Sequence, residues 1–158
     1  MKKCFSVALV LCCCLVGIAI AQNEPAELQA RFEFNEGSGT SVTSQSGEYT
    51  GTFVYNVNWV NEGVDGVALE FPDSGYVDTN YPGVLGNDQL SVSAWIKSDS
   101  SNKPFLWWGK EDRLTKMELK IDGSGVFRAQ IFGNAVLGTS NVADGQWHHV
   151  VCVVDSAG

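Results

Sequence analysis

LSVSAWIK, residues 90–97, decides the fold. Leu90, Val92, Ala94 and Ile96 fall on one side of an extended chain, and Ser91, Ser93, Trp95 and Lys97 on the other. Strict alternation is the mark of a β-strand, because successive side chains of a strand leave on opposite faces. A helix would space its apolar residues by three and four. The same period recurs outward from this stretch. Downstream, Met117, Leu119 and Ile121 alternate with Lys116, Glu118, Lys120 and Asp122. Upstream, Leu28, Ala30, Phe32 and Phe34 share one face, and Phe53, Tyr55, Val57 and Trp59 share a face of the next strand. Val67, Leu69 and Phe71 follow, then a short Tyr76–Thr79 piece. The turn Asp122-Gly123-Ser124-Gly125 predicts a hairpin into Val126–Phe132, since glycine tolerates the positive φ of tight turns. Gly133-Asn134 turns the chain into Ala135–Thr139, and the last strand is Trp147–Val154.

No window holds a 3.6-residue apolar period. About nine short strands with frequent turns predict an all-β protein, a two-sheet antiparallel sandwich or jelly roll. Trp95 and Trp147 are expected in its core, because large aromatics in alternating strands bury much apolar surface. Val150, Val151, Val153 and Val154 make the last strand apolar on both faces, the pattern of a central strand covered twice. Its neighbours are expected from sequence beyond Gly158, so the sandwich is expected to lack its C-terminal strands.

The N-terminus reads as a targeting segment. Lys2 and Lys3 precede an almost continuous apolar run over residues 4–20, and Ala19-Ile20-Ala21 is a small-x-small cleavage site. The expected organisation is a signal peptide over 1–21, a polar lead-in over 22–27 and one domain over 28–158. An uncleaved anchor is the alternative for so long an apolar run. Four of the five cysteines lie in the leader, which leaves Cys152. It reads as a buried, inert thiol among valines, or as half of a disulfide to a cysteine beyond the end. Eighteen acidic residues face ten basic ones, two of which are Lys2 and Lys3. So acidic a chain lacks the basic footprint that nucleic acids and anionic membranes require. A soluble extracellular protein is expected, with no membrane contact beyond the leader.

Four blocks in one order carry a resemblance: FEFNEGSGTSVTSQSG from Phe32, WVNEGVDGVALEF from Trp59, LSVSAWIK from Leu90 and DGQWHHVVCVV from Asp144. In this order they resemble the LamG-like jelly roll of the concanavalin A-like lectin/glucanase and pentraxin group, over residues 28–158. In that family the tryptophans matching Trp95 and Trp147 lie in the core, and the last block lies mid-domain. The resemblance implies noncatalytic recognition of a glycan or an extracellular protein, with calcium as the usual ion. Two other whole-protein readings stay open: a binding appendage of a larger glycoside hydrolase or other secreted enzyme whose catalytic part follows Gly158, and a cell-surface adhesion or structural protein.

The residues themselves argue against catalysis in this segment. Glycosidase carboxylates sit ~5 Å apart in retaining enzymes and ~6.5–9.5 Å apart in inverting ones. The best same-face pair, Glu118 and Asp122, spans four strand residues, or ~13 Å. Glu33 and Glu36 point to opposite faces, and the glucanases' E-x-D-x-x-E pattern is absent. His148 and His149 are adjacent on a strand and cannot chelate one ion together.

Binding is better supported. Trp107 and Trp108 are consecutive on a strand, so one must face away from the other. A solvent-facing tryptophan beside Lys110 and Glu111 would be a stacking surface for a glycan, with Tyr76 and Tyr81 as further aromatics. For calcium, six to eight oxygen ligands are needed. The resemblance to pentraxins places Asp112 at their acid position, but Arg113 at the matching asparagine, a cation that cannot ligate. Asp73 and Asp78 are weaker candidates. Ser44 stands where LamG-like modules often carry an acid.

Overall fold

The computed structural model describes residues 9–10, 27–72, 74–84, 88–109, 116–131 and 133–155. Every regular element among them is a strand: β1 (Leu9–Val10), β2 (Arg31–Phe32), β3 (Ser41–Thr43), β4 (Thr50–Val54), β5 (Asn58–Val60), β6 (Ala68–Glu70), β7 (Tyr76–Thr79), β8 (Leu90–Lys97), β9 (Lys103–Trp108), β10 (Met117–Ile121), β11 (Val126–Ile131), β12 (Asn134–Asn141) and β13 (Trp147–Val154). Two four-stranded sheets, ordered β13-β8-β1-β2 and β12-β11-β10-β9, form the layers of a sandwich. Smaller sheets, β3-β4-β7 and β5-β6, complete it. All pairings are antiparallel.

The alternation read from the sequence sets the inner faces. Leu90, Val92, Ala94 and Ile96 of β8 join Val150 and Cys152 of β13, which lie opposite Ala94 and Val92 in register. From the second layer come Met117, Leu119 and Ile121 of β10, Ala129 of β11 and Trp108 of β9. Ala30, Phe32 and Phe34 close one side. Period two therefore delivers one apolar face per sheet, and the two faces bury each other. This is the all-β jelly-roll sandwich expected from the strand pattern.

Three expectations need correction. Trp95 and Trp147 are only half-buried and lie on the outer face of their sheet, in the rows Trp95↔His149 and Lys97↔Trp147. The parity of β8 demands this, because Trp95 alternates with the core residues Ala94 and Ile96. The two rings pack along the surface instead. Trp95 meets His149 at 5.1 Å, and Trp147 lies under the Lys97 ammonium at 6.0 Å while its Nε1 donates to Glu62 O at 3.2 Å. Second, the strand expected through Phe53, Tyr55, Val57 and Trp59 is two strands, broken where Tyr55 takes a φ of 58°. Third, Leu28 is exposed and falls outside the core row of Ala30, Phe32 and Phe34. Among the described residues β13 ends its sheet with Val151 and Val153 exposed, the uncovered edge expected of it.

The β10–β11 hairpin is held by Asp122. Its Oδ1 accepts from the Ser124 amide at 2.8 Å, the Ser124 hydroxyl at 2.7 Å and the Val126 amide at 3.3 Å. Gly125 follows at a φ of 86°, where a side chain would also meet Asn141 Oδ1 at 2.7 Å. These bonds, that from the Ser124 hydroxyl foremost, hold the Asp122 carboxyl below the ordinary aspartate range. Cys152 is a free, buried thiol, and burial pushes its pKa up, toward the unreactive protonated form.

Leu119 is fully buried between the layers. Leu119→Ala is expected to cost about 2–5 kcal/mol in urea denaturation, from lost transfer energy and the cavity left behind. The lowered pKa of Asp122 fixes the sign of a pH effect. Its contribution is complete above the unfolded value of about 3.9 and is lost as pH falls through the folded value. Asp122→Ala should therefore be less stable than the parent at pH 7, with the difference closing below about pH 4 in urea melts run as a pH series.

Candidate functional site

The outer face of the β12-β11-β10-β9 sheet gathers polar residues around one exposed indole. Register fixes its rows. Trp107 lies opposite Glu118, Glu118 opposite Gln130, and Gln130 opposite Ala135. The next row runs Pro104, Lys120, Arg128, Leu137. A register shift between Leu119 and Lys120 leaves Phe105 without a partner in either row, and it stacks on Phe127 at 6.0 Å. Neighbouring strands are about 4.8 Å apart, so each step along a row is about the width of one sugar ring.

Strand parity divides the two tryptophans. Trp108 lies opposite Met117 in the core, is 8 % exposed, and donates its Nε1 to Val84 O at 2.8 Å. It packs against Gly83, whose position leaves no room for a side chain beside the indole. Its expected stacking role is therefore withdrawn, and Trp108 is a core residue. Trp107 is 59 % exposed. Beside it, Glu118 is half-buried and meets the Lys116 ammonium at 3.7 Å. Lys120 donates to Asn102 Oδ1 at 3.1 Å. The face thus offers an aromatic surface, a carboxylate acceptor, an amide that both donates and accepts, and three cations.

Tyr76 begins β7 opposite Val54 and is 41 % exposed. It is not alone. Tyr55, 77 % exposed, meets it edge to face with ring centroids 6.3 Å apart. A left-handed tyrosine is strained by about 1 kcal/mol or more, and here the bend throws the ring off the strand into solvent. Gly75 lets the chains approach at this point, since a side chain there would overlap the Asn56 carbonyl. The sequence hid Tyr55 because its spacing fits the Phe53 row, and only the positive φ breaks it out. Tyr81, by contrast, is half-buried and packs edge-on against Tyr49 at 5.0 Å, with burial first and Tyr49 second raising its pKa.

Asp112 and Arg113 lie outside the described residues, as does Asp73. Asp78 is exposed on β7 opposite Thr52. Ser44 is buried, and its hydroxyl accepts from the Tyr49 amide at 3.0 Å, so it serves the turn. Among the described residues no group of three or more His, Cys, Asp or Glu side chains could hold a metal. His148 and His149 part as expected. His148 Nε2 bonds Asp144 Oδ1 at 2.8 Å, which lowers the Asp144 pKa, while His149 packs at a tilt against Trp95.

Comparison with known proteins bears on the sandwich that carries this face. No curated protein and no solved structure matches the chain. The family described as the concanavalin A-like lectin/glucanases superfamily, in its laminin-G form, matches residues 71–158, from just before β7 through β13. That is more than half of the sequence, and it contains β8 and β13 of one layer, the whole β12-β11-β10-β9 layer and the Trp107 face. The chain belongs to the concanavalin A-like lectin/glucanases superfamily.

Proposed function

We propose that this protein is a noncatalytic carbohydrate-recognition module, and that Trp107 is the platform on which the sugar lies. The observation that carries this reading is an exposed indole in register with Glu118 and Gln130 on an open sheet. A pyranose presents an apolar C–H face to an aromatic ring, and its hydroxyls need paired donors and acceptors around it. Gln130, Glu118 and Arg128 supply both kinds at strand spacing. The noncatalytic part is supported by the carboxylate count. Glu118 is the one acid in the two outward rows, where glycoside hydrolysis uses two.

A second reading, recognition of an extracellular protein, is favoured by β12. Every residue of β12 is exposed, none is charged, and among the described residues it has a neighbour on one edge only. Such an edge can pair with an incoming strand through its backbone. A calcium requirement would have to rest on Asp112 and its loop, and binding that survives EDTA removes it.

The leader supports secretion, with cleavage after Ala21 and residence outside the cell or on its surface. The two larger settings, an appendage to a secreted enzyme and a surface adhesin, use the same face. The intact mass of the native protein separates them from a free-standing module.

Affinity electrophoresis against a polysaccharide panel tests the platform. Trp107→Ala is expected to weaken retention by about tenfold or more, or ~1.4 kcal/mol. Its stability should stay within about 0.5 kcal/mol of the parent, as for an exposed side chain. Trp108→Ala should instead cost about 3–5 kcal/mol of stability. Retention unchanged in Trp107→Ala, for every polysaccharide the parent binds, sinks the glycan reading.

A further inference from the structure

Lys120 and Arg128 stand directly opposite each other on the outer face of the β12-β11-β10-β9 sheet, in one row with Pro104 and Leu137. The Cβ atoms of such a pair lie about 4.5–5.5 Å apart, and like charges placed so repel each other. Opposite charges would stabilise the same two positions, yet the row holds no acid. Among the described residues neither cation meets a carboxylate. Lys120 donates to the neutral Asn102 Oδ1, and the salt bridges lie elsewhere. The two other polar places on this face of β10 and its turn are already engaged. Glu118 meets the Lys116 ammonium at 3.7 Å, and Asp122 Oδ1 accepts from Ser124 and Val126.

The rest of the molecule is acidic. The chain holds eighteen acidic residues and ten basic ones, for a net charge of −8. Beside Trp107, by contrast, Lys116, Lys120 and Arg128 face one carboxylate, Glu118. A positive patch on an acidic protein selects an anion, and the surrounding negative charge disfavours a polymer crowded with it. One charge per sugar unit meets both conditions. The guanidinium of Arg128 presents a planar fork that matches the two oxygens of a carboxylate, and the Lys120 ammonium adds a compact charge beside it. Glu118, opposite Trp107, and Lys120 are two residues apart on β10, or about 7 Å. Adjoining sugar units can therefore engage the indole and the cation pair together.

We propose that Lys120 and Arg128 form an anion subsite, and that the glycan is a uronic-acid polysaccharide. One carboxylate lies between the two cations while a neighbouring ring lies on Trp107. The subsite rests on Trp107 being the sugar platform and adds the charge of the ligand to that reading.

The probes are polygalacturonate and alginate, each beside its carboxyl-esterified form, which shares the backbone and lacks the charge. Binding is measured by isothermal titration with the intact protein at low and at physiological salt. The parent is expected to bind at least one acid form about tenfold or more tightly than its ester, with the preference shrinking as salt rises. Lys120→Gln and Arg128→Gln should each cut that preference about threefold or more, and the double variant should abolish it. Trp107→Ala should weaken both forms and leave the acid preferred. Removing one of two opposed like charges should leave the urea midpoint equal to the parent's or higher, which separates lost recognition from lost folding. An acid-to-ester ratio near one in the parent overturns the subsite and leaves the platform standing. So does a ratio that survives in the double variant. A sulfated galactan bound more tightly than either polyuronate overturns the carboxylate assignment. Binding that is absent for every form, or unchanged in Trp107→Ala, removes the platform and the subsite with it.

Discussion

The burial of β8 is the constraint on which the molecule rests. Leu90, Val92, Ala94 and Ile96 are almost wholly enclosed on the inner face, and Ser91 and Ser93 are buried on the outer one. A strand enclosed in this way cannot hand its backbone to water, so every neighbour must present hydrogen-bonding edges in the right register. β13 does this across its full length. The second layer then has one place to go, with Met117, Leu119 and Ile121 against the apolar row of β8. A one-residue slip of either strand would put serine or lysine into that contact.

The Trp107 face follows from the same packing. Because Met117, Leu119 and Ile121 turn inward, Glu118 and Lys120 must turn outward, and cross-strand pairing brings Trp107, Gln130 and Arg128 beside them. No loop is needed to assemble this surface. It is held by core packing, so the polar groups around the indole are arranged before any ligand arrives, and less ordering entropy is lost on binding. The Tyr55–Tyr76 pair is built differently. It depends on a strained bend and on a glycine contact, and so on local backbone geometry.

Much of this could be read in the residues. Leu90–Lys97, Tyr76–Thr79 and Trp147–Val154 are strands with the bounds their alternation predicts, and Asp122-Gly123-Ser124-Gly125 makes its hairpin. Period two also required that Trp107 and Trp108 face opposite ways. It could not say which faces out, because that depends on whether Met117 or Glu118 lies opposite each ring. The outer position of Trp95 and Trp147 was legible in strand parity, but an expectation based on residue type overrode it. Tyr55 was illegible, because a positive φ at a non-glycine residue leaves no mark in spacing. The pairing of β8 with β13 joins residues some fifty positions apart, and local pattern carries no information about such a partner.

β12 has a consequence for how copies of this protein behave in solution. The chain carries a net charge of −8, and that charge repels other copies at a distance. Repulsion of this kind fades within a Debye length, about 8 Å at physiological ionic strength. At contact the molecule presents an uncharged edge with Val136 and Leu137 uncovered. Salt weakens the long-range barrier and leaves the short-range attraction intact. Colloidal stability is therefore set by ionic strength more than by folding free energy, and the protein keeps best in dilute buffer.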